Sequence, residues 1–211
     1  MNKTLFIIMF CGTLVLADNL NLSEPVLDWV GQKYGSGARE RAEAWRDLLD
    51  RRIDTEEEKL RQVNLFFNRV PYQSDAQNWQ KKDYWATPIE MLGVNAADCE
   101  DYAIAKYFTL TELGVPPQKL RITYVKAVEL QEAHMVLSYY PSEDDIPLVL
   151  DNLRDDILPA TERKDLVPVY SFNADSIWSA VNRGQGKNLG SSSRIKLWQD
   201  LKAKMQKETK S

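Results

Sequence analysis

The chain has 211 residues, of which 44% are hydrophobic and 27% charged, with a formal net charge of −4. These proportions belong to a soluble globular protein with room for one sizeable core, and an acidic balance without a basic block argues against a nucleic-acid binder. Two cysteines and one histidine exclude a disulfide scaffold and a multi-histidine metal centre.

Residues 1–17 read as a signal peptide. Lys3 gives a positive start, Leu5 to Leu16 is almost wholly apolar, and Val15 and Ala17 stand at the −3 and −1 positions of a cleavage site before Asp18. The apolar run falls short of the roughly 20 residues that a membrane helix needs. Cleavage removes Cys11 and leaves Cys99 and His134 as the one thiol and the one imidazole of an exported chain, periplasmic in a Gram-negative host.

Residues 18–70 pattern as a helical N-terminal lobe. Ser23 precedes a helix with Pro25 in its first turn, and Gly35-Ser36-Gly37 interrupts it. Ala38, Ala42, Trp45, Leu48 and Leu49 recur at helical spacing. Thr55 with Glu58 makes a capping-box pattern, and Leu60, Val63, Phe66, Phe67 and Val70 form the next apolar face before Pro71.

Residues 71–180 are expected to hold the catalytic core. The stretch 71–97 reads as a long ordered loop with a helical turn from Pro88 to Leu92. Its Trp79 and Trp85 suit either a core plug or a substrate wall, and Trp85 is the candidate wall. Asp98 caps a helix that runs to Leu113 and stops at Gly114 and Pro116. The hydrophobic period then changes to two, giving strands at Leu120 to Leu130, His134 to Tyr140, Ile146 to Asp151 and Leu166 to Phe172, with a turn at Ser142 to Asp145. Within residues 181–211, Asn182 to Ser193 reads as loop and Arg194 to Lys207 as a terminal helix with Trp198 and Leu201. Helices first and strands later predict an α+β fold with an antiparallel sheet.

A lone thiol in an exported protein needs a reason, because it is open to oxidation. Cys99 is the first residue after an N-cap, where free amides and the helix dipole favour a thiolate and an oxyanion. His134 is the only imidazole available as its partner. If the strands pair about the Ser142–Asp145 turn, Asp151 becomes a neighbour of His134 and can orient the ring. Asp98, Glu100 and Asp101 crowd negative charge around the thiol. They serve either as an acidic first turn or as oxygen ligands of Ca²⁺, whose charge would offset theirs.

Three segments of this chain resemble the bacterial transglutaminase-like cysteine proteinases: Asp98-Cys99-Glu100-Asp101-Tyr102-Ala103, Ala133-His134-Met135-Val136-Leu137 and Leu148-Val149-Leu150-Asp151-Asn152. The resemblance covers most of the mature chain to about Phe172. It implies a papain/transglutaminase-like fold, a helical lobe packed on the sheet, and a Cys99–His134–Asp151 triad. It implies a calcium requirement with ligands at Asp98, Glu100 and Asp101. It further implies cleavage of a large surface adhesin near its N-terminus at a paired-alanine site, releasing cells from a biofilm. Control would come from the periplasmic domain of an inner-membrane cyclic-di-GMP receptor. A transglutaminase or peptidoglycan amidase with the same triad, and a non-catalytic binding module, are the alternatives.

Overall fold

A computed structural model describes residue 20 and residues 22–179 and 186–208. The expected signal peptide, and positions 182–185 of the expected loop, lie outside the described residues. Helix α1 (Glu24–Tyr34) carries Pro25 in its first turn and ends at Gly35, whose φ of 97° suits a residue without a Cβ. Helix α2 (Ser36–Leu49) starts at once, so the Gly-Ser-Gly stretch is a corner between two helices. Helix α3 (Glu56–Phe67) is capped by Thr55, whose hydroxyl accepts from the Glu58 amide at 3.2 Å. Glu58 does not close the box; its carboxylate is held by Arg61 and Gln62.

The aromatic stretch that follows contains two short helices, α4 (Asp75–Asn78) and α5 (Pro88–Val94). Its ends are fastened together. Tyr72 and Ala97 form a parallel bridge, and the Gln73 amide donates to the Ala97 carbonyl at 2.8 Å. Helix α6 (Cys99–Glu112) follows immediately.

The sheet contains β1 (Leu120–Ala127), β2 (Glu132–Tyr139), β3 (Leu148–Leu150), β4 (Leu158–Pro159), β5 (Leu166–Phe172), β6 (Ser176–Ser179) and β7 (Asn188–Ser191). Its order is β4-β3-β2-β1-β5-β6-β7 and every described pair is antiparallel. The fold is therefore α+β, as the sequence pattern predicts. Strands β4, β6 and β7 are additions: β7 lies in the Gly/Ser-rich stretch read as loop, and all four of its residues are exposed.

One face of the sheet, with Leu120, Ile122, Met135, Leu137, Leu150 and Phe172, joins the helices in a continuous apolar core. Burial of this kind is the main stabilising term. Helix α6 lies between that face and α3, and the Trp45 indole donates to Thr109 at 3.0 Å. Helix α7 (Lys196–Glu208) seats the fully buried Trp198 against Tyr107, Phe108 and Phe172. The opposite face carries a smaller cluster of Val125, Val136 and Val149. Among the described residues, no helix is long and apolar enough to cross a membrane.

Candidate active site

Asp98 is the N-cap of α6 and Cys99 its first residue. Asp101, one turn on, reaches back to the Asp98 amide at 3.4 Å, so the expected capping interaction is present. Cys99 is half-buried, and its thiol donates to Glu100 Oε2 at 3.0 Å. Burial, then the neighbouring Glu100 carboxylate, push the thiol well above its usual range, whereas a hydrogen bond from the Met135 backbone acts the other way. That amide belongs to the residue after His134, so the start of α6 abuts the segment of β2 that carries the imidazole.

His134 is buried, and its Nε2 lies 2.8 Å from Asp151 Oδ1. The register explains the contact. Leu137 pairs with Leu150, so Asp151, one residue beyond β3, falls on the sheet face that His134 and Val136 share. The strand is shorter than the pattern suggests and the turn wider, but the parity of the two residues is as expected. Asp151 Oδ1 also accepts from the Leu153 amide at 3.1 Å, and Oδ2 accepts from Arg163 Nη2 at 2.7 Å. Burial pushes this carboxyl up, but the bonds from His134, Leu153 and Arg163 outweigh it and hold the group well below the usual carboxylate range.

A second cluster adjoins the thiol. Asp75, Asp98 and Glu100 offer carboxylate oxygens that all lie within 4.8 Å of one another. Asp98 Oδ1 is buried with no hydrogen-bond partner. Burial, reinforced by the neighbouring carboxylates, raises Asp98, and burial lifts Asp75 to about 6. Three converging carboxylates, one of which carries an orphaned oxygen, suit a calcium-type cation and do not suit a thiolate-seeking one.

Two sequence expectations read differently here. Asp101 is not among the three converging carboxylates: one oxygen accepts from the Ala86 amide at 2.7 Å and the other from the Asp98 amide at 3.4 Å, so it braces the helix start. Trp85 is no groove wall: it is 6% exposed and its ring stacks on Phe172 with centroids 5.6 Å apart. Sequence reasoning missed Asp75 and Arg163.

The family model described as bacterial transglutaminase-like cysteine proteinase matches residues 32–185. The chain belongs to this family. As a cysteine proteinase of that family it is also similar to solved structures of LapG from Legionella pneumophila. An EGTA-treated form is 40% identical, with a TM-score of 0.77, covering 89% of this chain and 98% of that one. A calcium-bound form is 42% identical, with a TM-score of 0.73, covering 85% and 97%. No curated protein matches the proteinase.

Proposed function

We propose that this proteinase is a calcium-dependent periplasmic endopeptidase working through Cys99, His134 and Asp151. The observation that supports it best is the 2.8 Å contact between the single imidazole and a buried carboxylate, on the strand whose Met135 backbone reaches the helix-start thiol. Asp151 engages Nε2, which leaves Nδ1 as the ring nitrogen to take the thiol proton. The sulfur then attacks the scissile carbonyl, and the Cys99 amide is suited to donate to the oxyanion. The imidazolium returns its proton to the departing amine, a thioester remains on Cys99, and water hydrolyses it. Asp151 stays ionised throughout and fixes the ring tautomer.

Asp75, Asp98 and Glu100 would hold the calcium ion, which supplies positive charge against the carboxylates that oppose a thiolate. The family resemblance supports the substrate: a large surface adhesin, cut near its N-terminus at a paired-alanine site to free cells from a biofilm. It also supports restraint by the periplasmic domain of a cyclic-di-GMP receptor. Incubating the host's adhesin with the wild-type chain and with Cys99→Ala, with and without EGTA, tests the reading by fragment mass. A new N-terminus that appears only with the thiol and the cation is the expected result. Cleavage by Cys99→Ala would refute it, and amine incorporation without cleavage would make the enzyme a transferase.

A further inference from the structure

The carboxylate that faces His134 is gripped from behind. Arg163, in the turn between β4 and β5, is only 3% exposed, and its Nη2 reaches Asp151 Oδ2, the oxygen that His134 does not use. Asp165 holds the same guanidinium in a fork, Nε to Oδ1 at 3.0 Å and Nη2 to Oδ2 at 2.7 Å. The turn itself is anchored to the sheet. The Ala160 amide donates to the Pro147 carbonyl at 2.8 Å, the Val128 amide to Asp165 at 2.8 Å, and Leu166 packs on the Val125–Val136–Val149 cluster.

We propose that Arg163 is a positioning residue for the reaction: it fixes the Asp151 carboxylate in the orientation that presents Oδ1 to His134. The proposal rests on the triad reading above. A carboxylate rotates easily about its last bond. The bonds from His134 and the Leu153 amide both fall on Oδ1, and Arg163 adds the contact on Oδ2 that stops the group from turning. The guanidinium has a second effect. It keeps its proton at any working pH, so it holds Asp151 as an acceptor when the ring becomes positive. A purely structural role would run through Asp165, which ties Arg163 to its own turn. A positioning role runs through Asp151. Nη2 serves both carboxylates, but Asp165→Asn weakens the Asp165 contact alone, whereas Arg163→Met removes both.

The test uses the full chain with Arg163→Met, Arg163→Lys and Asp165→Asn. Steady-state cleavage is measured on an adhesin fragment that carries the paired-alanine site. The chain has one histidine, so the imidazole region of a proton–nitrogen NMR spectrum of untagged protein reports His134 alone. The wild type is expected to show a downfield, slowly exchanging Nε2 proton. Arg163→Met is expected to lose that proton to exchange and to lower kcat by about 10- to 100-fold with KM changed less than about threefold. Arg163→Lys falls between the two, because the charge is kept and the planar fork is lost. Asp165→Asn stays within about threefold of the wild type in kcat.

An unchanged proton and kcat in Arg163→Met, or an Asp165→Asn as impaired as Arg163→Met, would overturn the proposal. Should Arg163→Met fail to fold, Arg163→Lys decides it: an unaltered resonance and kcat there refute positioning. The resonance is read without substrate. A wild type that cleaves nothing therefore counts against the protease reading and leaves the Arg163 test standing.

Discussion

Replacing Trp198 by Ala removes the side chain that seats α7 on the rest of the core. The ring is fully buried, stacks on Phe108 at 5.4 Å and meets Tyr107 and Phe172 edge-on at 5.7 and 5.4 Å. Truncating a tryptophan in such a place costs about 4 kcal/mol. The indole Nε1 is buried with no hydrogen-bond partner, and deleting that orphan returns about 1 kcal/mol. The net loss is then about 3 kcal/mol, a fall in melting temperature of roughly 6–12 °C for a chain of this size. Trp198→Phe keeps a ring in the stack and removes the orphan, so its loss is about 1 kcal/mol. Urea titration followed by circular dichroism gives both values. An Ala variant within about 1 kcal/mol of the wild type, or a Phe variant less stable than the Ala variant, would refute the packing account.

Calcium should raise the melting temperature of the wild type by linkage, and Asp75→Asn should shrink that rise. Asp101→Asn should lower stability by about 1 kcal/mol, through the weakened helix start, yet keep the calcium-induced rise; loss of the rise would return Asp101 to the ligand set. Asp151→Asn should fold and lose about a thousandfold or more in kcat, because an amide cannot stabilise the imidazolium; near-normal turnover removes it from the triad. Glu208 is raised to about 7, chiefly by burial, while its Oε1 accepts from the Thr87 hydroxyl at 2.9 Å. Between its ordinary value and about 7 the folded state binds the extra proton, so this group makes stability fall as pH rises through that window. Glu208→Gln should therefore be the more stable protein at pH 8 by up to about 3 kcal/mol, with the difference gone near pH 4; a pH-independent difference in urea titrations would contradict this.

Local signals carried most of the site. The apolar spacing of α2 and α3, the cap at Asp98 and the stop at Gly114 are decided by neighbours a turn apart, and all of them appear in the fold. The parity of His134 and Asp151 survived an error in turn length, because a strand's faces alternate whatever the loop between them. Asp75 was hidden for the opposite reason. It meets Asp98 only because the Tyr72–Ala97 bridge folds a long segment back on itself, and no periodicity reports that closure. Arg163 lay in a turn with no regular pattern. Thr87 and Glu90 do form a complete capping box that starts α5, but both are buried, where a polar pair is not sought. Trp85 was misassigned because an aromatic among polar residues has no intrinsic side; the fold turned it inward onto Phe172. Strand β7 has no apolar face and exists because the β6 edge offers it hydrogen bonds.

The bridge between Tyr72 and Ala97 has one more consequence. Both feet of the intervening segment are stapled, and its far side is tied down separately through Ala86 and Asp101, while Gln80 to Asp83 stand exposed between those attachments. A single backbone cut at that tip would leave two polypeptides that still hold one another, with Asp75 on one piece and Cys99, His134 and Asp151 on the other. The enzyme is thus suited to being split and reconstituted from fragments, and only one of the three carboxylates that converge beside the thiol would travel with the shorter piece.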